Sequence, residues 1–159
     1  MKNVLAASII VMCPIAALAE TQIEKLERLS VAMNDIMFAA MIDMVEKEGG
    51  NPEPLRETIP DSTWDDEYRA AGSCLLDKLA AASSTSAVDQ MLAEMDEALP
   101  QIASMDIENM DEELDFTPEG ISDDYMMEAN DECGLVDISL KRMEESGFTA
   151  AMMQSMMDN

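Results

Sequence analysis

The chain is 159 residues long, 48% hydrophobic but only 4% aromatic, with nine Lys and Arg against thirty-four Asp and Glu and a formal net charge of −25. It contains no histidine, and so lacks the commonest general base and the commonest metal ligand. So acidic a chain is not expected to bind nucleic acid, because neutralising phosphates requires a basic patch, and anionic membrane surfaces repel it.

Residues 1–19 read as a cleavable signal peptide. Lys2 supplies the positive start, Val4 to Met12 is an almost unbroken apolar run, and Ala17 and Ala19 put small residues before a cut at Glu20. The apolar stretch, about 16 residues, is short of the ~20 that cross a bilayer. Cys13 follows Met12 rather than the small residue that precedes a lipidated cysteine. Residues 20–159 are then a single acidic helical domain, periplasmic or secreted, with no stable membrane insertion after cleavage.

The stretch Thr21 to Lys47 organises the rest. Ile23, Leu26, Met33, Met37, Ala40 and Met44 recur at helical spacings, and Leu29, Ile36, Met41 and Val45 widen the stripe. Thr21 and Glu24 make a capping box, while Gly49-Gly50 and then Pro52 stop the helix. The pattern predicts one buried face in which the methionines Met33, Met37, Met41 and Met44 serve as packing residues. Residues 51–62 hold three prolines and read as a loop with one helical turn near Leu55. Ser62 or Thr63 then caps a second helix with Trp64, Tyr68, Ala71, Leu75 and Leu79 on its inner line.

Ser86 with Asp89 opens a third helix, lined by Val88, Met91, Leu92, Met95, Leu99 and Ile102, which Pro100 is expected to kink or end. Residues 106–119, half of them acidic, read as a loop or frayed helix. Thr117-Pro118-Glu119 resembles a helix start, and Ile121, Tyr125, Ala129 and Cys133 follow at intervals of four. Gly134 separates this fourth helix from a fifth carrying Val136, Leu140 and Met143. Phe148 opens a last short helix and is placed to pack on Met153. No stretch alternates with period two, so the expected fold is all-α: a small helical bundle of four main helices plus short ones.

Two cysteines, Cys74 and Cys133, remain after cleavage. In an oxidising compartment they are expected to form one inter-helix disulfide, closing a loop of about 60 residues worth roughly 4 kcal/mol. Pairing them also removes the cysteine nucleophile, and no Gly-rich phosphate loop is present. The expectation is a protein that is not an enzyme and holds no cofactor. Asp115 to Gly120 opens like a calcium-binding loop, but Met126 stands where the bidentate Glu belongs and Pro118 lies inside it.

Two features point to binding. Leu79 to Leu140 contains seventeen acids and no base, which suits a basic protein partner. The candidate contacts are Asp106, Glu108, Asp111, Glu112, Glu113, Asp115, Glu119, Asp123 and Asp124. The second feature is the methionine content, seventeen in all. Thioethers are soft ligands suited to Cu(I) or Ag(I). Met152, Met153, Met156 and Met157 are the candidate ligands, because a short terminal helix cannot bury adjacent pairs. The alternative function is therefore a methionine-rich Cu(I) or Ag(I) buffer of the periplasm.

Overall fold

A 26-residue helix, α1 (Gln22–Lys47), is the longest element. The computed structural model of the chain describes residues 20–105 and 116–157, so the expected signal peptide and the acids Asp106 to Asp115 lie outside the described residues. The capping box is formed: Thr21 Oγ1 accepts the Glu24 N–H, and Glu24 accepts the Thr21 N–H at 2.8 Å. At the other end Gly49 is left-handed (φ 83°). There the Gly50 N–H reaches the Val45 carbonyl at 2.9 Å and the Gly49 N–H reaches Glu46 at 3.1 Å. This is the paired hydrogen-bond closure that a glycine after the helix end permits.

The buried side of α1 is not one stripe. Leu26 and Leu29 are buried in its first half, and Phe38, Ile42 and Val45 in its second. Leu29 and Phe38 are nine residues apart, about two and a half turns, so the buried face crosses to the opposite side of the helix. The expected methionine stripe continues the first face and is only partly covered: Met37 is 37% exposed, Met33 and Met44 are half-buried, and the half-buried Met41 packs against the second core. Length explains this. At ~1.5 Å per residue α1 is roughly 39 Å long, about 13 Å more than α3 (Asp66–Ala82, 17 residues), which packs on its first half.

The remaining elements divide between the two cores. Among the described residues there are seven helices and no strand. α3 and α4 (Thr85–Ile102) pack on the first half of α1, and α5 (Asp123–Glu132) and α6 (Leu135–Glu145) pack on α3 to complete that core. Leu29, Leu79, Val88 and Leu92 are the most completely buried residues of that core. α2 (Glu53–Glu57) and α7 (Phe148–Met157) cover the second half, where Leu55, Phe148 and Ala151 meet Phe38, Ile42 and Val45. Phe148 packs edge-on to Phe38 with ring centres 5.0 Å apart. Its expected contact with Met153 is not made, because Met153 points outward and is 57% exposed.

Several helix starts also differ from expectation. Asp65, not Ser62 or Thr63, caps α3 by accepting the Tyr68 N–H at 2.9 Å. Asp61 instead holds the Thr63 N–H and hydroxyl in a local turn. Ser84 rather than Ser86 caps α4, and the exposed Pro100 sits within its last turn, which runs on to the buried Ile102. Thr117 to Glu119 does not begin a helix. The left-handed Gly120 (φ 87°) turns the chain, and Ser122 caps α5.

The disulfide joins the bundle as expected. Cys74 on α3 and Cys133 at the end of α5 are bonded with their Cα atoms 5.7 Å apart. Among the described residues no helix is long and apolar enough to cross a membrane.

Candidate functional site

Gly134, left-handed at φ 77°, folds α5 and α6 into a helical hairpin. Only Ala129 of α5 and Ile138 of α6 are fully buried, so most of both helices faces outward. The outer positions carry Asp123, Asp124, Glu128 and Asp131 on α5, and Asp137, Glu144 and Glu145 on α6, all exposed. Among them stand three large apolar side chains, Met127 (64% exposed), Val136 (43%) and Leu140 (50%). Lys141 is the one base among the exposed α6 positions. Exposed apolar groups among charges predominantly of one sign mark a surface suited to binding.

Apart from Lys141, most of the described bases are engaged in pairs between helices. Arg28 bridges Asp96 at 2.9 Å and Glu20 at 3.0 Å, and these hydrogen bonds hold its pKa above the ordinary arginine value. Arg69 grips Glu27 with two hydrogen bonds of 2.9 Å, which hold that carboxyl below the usual range. Arg56 pairs with Glu46 at 3.2 Å. Lys78 reaches Glu132, the one acid of the α5 outer face with a described cation partner, and the hydrogen bond raises the Lys78 pKa.

Arg142 binds the hairpin to the start of α3. It donates to the carbonyls of Asp61 (2.9 Å) and Thr63 (2.6 Å) and to the Asp65 carboxylate (2.8 Å). Its guanidinium also lies 4.4 Å from the centre of the Tyr68 ring, within cation–π range. These pairs tie helices together and leave Lys141 as the one base among the acids of the α5–α6 face.

Of the acids singled out from sequence, Glu119, Asp123 and Asp124 are exposed, in the turn before α5 and in its first turn. Asp123 accepts a 3.0 Å hydrogen bond from the Thr117 hydroxyl. Asp106, Glu108, Asp111, Glu112, Glu113 and Asp115 fall outside the described residues. Sequence reasoning passed over Glu128, Asp131, Asp137, Glu144, Glu145 and Met127, and it read Val136 and Leu140 as part of the apolar line of a fifth helix, whereas both are exposed. Their signal was available in the four-residue steps Asp124–Glu128 and Val136–Leu140. Of the candidate metal ligands, Met152 is turned inward against the second core while Met153 points to solvent. The side chains of Met156 and Met157 fall outside the described ones.

A second feature lies inside the first core. A cavity of about 290 Å³ opens between α1, α3, α4 and α5–α6, walled by Leu26, Leu75, Leu79, Met91 and Met95. No charged side chain lines it. The Tyr68 and Ser139 hydroxyls bond each other across its edge at 2.6 Å, and Asn130 donates to the Met126 carbonyl at 2.9 Å. Ser30 and Asn34, one turn apart on α1, also face it, and among the described residues neither has a side-chain hydrogen-bond partner.

Among the described residues no three His, Cys, Asp or Glu side chains converge in a way that could hold a metal ion. Both described cysteines are spent in the disulfide. Comparison with protein-family models, with curated proteins and with solved structures gives no match.

Proposed function

We propose that this is an exported, non-catalytic binding protein that docks a basic protein partner on the outer face of α5–α6. One observation carries the reading: Met127, Val136 and Leu140 stand exposed among seven acids, with Lys141 the one exposed base beside them. The acids steer a cationic partner, and the three apolar side chains supply the desolvated contact that steering alone lacks. Export is supported by the signal-like residues 1–19 and by the disulfide, a bond that persists in oxidising compartments.

The test is a pull-down from periplasm or culture medium at low and high salt. It compares the protein with a variant combining Asp123→Asn, Asp124→Asn, Glu128→Gln and Leu140→Ser. The expected result is a basic protein retained at low salt, released by salt, and lost with the variant. Equal recovery on the variant removes the reading.

Ser30 and Asn34, which have no side-chain hydrogen-bond partner among the described residues, favour a second reading, in which the inner cavity takes a small uncharged amphiphile. Such a ligand would place its polar end at these two residues and its apolar part against Leu75 and Leu79. Trp64 lines the same cavity, so binding of a neutral probe such as a medium-chain alcohol should change its fluorescence. An unchanged signal at saturation, with Asn34→Leu behaving identically, would end this reading.

A further inference from the structure

We propose that Met41, Met44 and Met152 form a binding site for one soft monovalent metal ion, Cu(I) or Ag(I). The three side chains line a single cavity of about 170 Å³ between the end of α1 and α7. Its walls are two facing helix lines: Met41, Met44 and Glu48 recur at three and four residues along α1, and Phe148, Met152 and Ser155 at four and three along α7. Val45 and Leu55 complete the lining. The site lies away from the α5–α6 face, so it stands or falls independently of the basic-partner reading.

The donor set decides the ion. Three thioethers are soft ligands that select Cu(I) or Ag(I) over hard divalent cations. The chain has no histidine, and Cys74 and Cys133 are bonded to each other. Thioethers are therefore the soft donors left among the described residues. Hard cations prefer shells of six or more oxygens, and this cavity offers one carboxylate, Glu48, and the hydroxyl of Ser155, which donates to the Met152 carbonyl at 2.9 Å. Glu48 is exposed, placing a negative charge at the entrance to balance a +1 ion. Methionine side chains have three rotatable bonds, so three sulfurs from two helices can converge without moving the backbone.

This relocates the soft-metal site expected along residues 152–157. Met152 and Met153 are neighbours about 100° apart around the helix, so one faces the cavity and the other the solvent. Met152 finds its partners more than 100 residues away in α1.

The test is an anaerobic titration with Cu(I) against a chromogenic competing chelator, using the full disulfide-bonded chain. The expected result is one equivalent held tightly, with Met153→Leu unchanged. Loss of an outer-sphere partner alone costs about 10–100-fold in metal affinity, so Met41→Leu/Met44→Leu/Met152→Leu should lose at least about 100-fold. Leucine keeps the apolar volume, and far-UV circular dichroism checks that the triple variant is folded. Should it not fold, Met41→Leu and Met152→Leu singly, in different helices, make the same test. X-ray absorption of the loaded protein should show a sulfur first shell. Absence of binding, a triple variant equal to the parent, an equal loss with Met153→Leu, or a shell dominated by nitrogen and oxygen would each overturn the proposal.

Discussion

Breaking Cys74–Cys133 should cost the protein roughly 4 kcal/mol and should act first on the hairpin that carries the acidic face. The bond spans a sequence separation of 59. In the chain-entropy model a loop of that size withholds about 14 cal/mol/K from the unfolded ensemble, or roughly 4 kcal/mol at 25 °C. Beyond the disulfide, Ala129 and Ile138 are the hairpin's fully buried residues, with Tyr125, Met126 and Leu135 half-buried against the first core. Its polar ties include Tyr68–Ser139, the Tyr125 hydroxyl on the Lys78 carbonyl, Lys78–Glu132 and the Arg142 cluster.

The assay is urea unfolding followed by Trp64, the single tryptophan, with the disulfide intact and reduced. With a slope of about 2 kcal/mol/M for a domain of this size, the midpoint should fall by ~2 M. Hydrogen exchange in the reduced protein should show α5 and α6 amides losing protection before those of α1, α3 and α4. Reduced and oxidised midpoints that differ by less than about 0.5 M would refute the reasoning, because the loop would then be constrained already in the unfolded chain.

Leu29→Ala, at a side chain with no exposed surface, should cost about 2–5 kcal/mol in the same assay. Met37→Ala, on the uncovered face of the same helix, should stay within ~1 kcal/mol; equal losses would mean that α1 has one buried face after all. Gly72→Ala should destabilise despite alanine's helix propensity. A Cβ there would run into the Trp64 ring, and Trp64 itself stacks on Tyr68. The overpacking cost of about 1–3 kcal/mol exceeds or cancels the ~1 kcal/mol gain, and a variant clearly more stable than the parent would show that the indole can move away.

The Asp65 carboxyl is held below its ordinary 3.8, first by the hydrogen bond from the Tyr68 N–H and then by Arg142. A depressed pKa contributes stability above the unfolded value that disappears as pH falls through the folded one. The stability difference between the parent and Asp65→Asn should therefore be full at neutral pH and vanish below 3.8 in acid. Thermal melts at both ends of that range check it, and a difference independent of pH would assign the effect to shape rather than charge.

What the sequence by itself determined was local or arithmetical. The all-α class follows from 3.6-residue periodicity, and the ends of α1 from Thr21, Glu24 and Gly49-Gly50, because capping is completed within a few residues. The disulfide was expected from counting: on the reading that residues 1–19, with Cys13, are removed on export, two cysteines have one way to pair. Which half of a helix surface is covered was a different kind of question. The stripe Met33–Met37–Ala40–Met44 is as periodic as the one through Phe38, Ile42 and Val45. Phe148, Ala151 and Leu55 decide between them from distant parts of the chain. Competing caps behaved likewise: Ser62, Thr63 and Asp65 all suit the start of α3, and Arg142, 77 residues on, holds the Asp65 carboxylate. The acidic face and the methionine cavity belong to the tertiary structure for the same reason. An excess of acids becomes a surface only when the bases have been drawn elsewhere, and Met152 meets Met41 and Met44 only because α7 folds back onto α1.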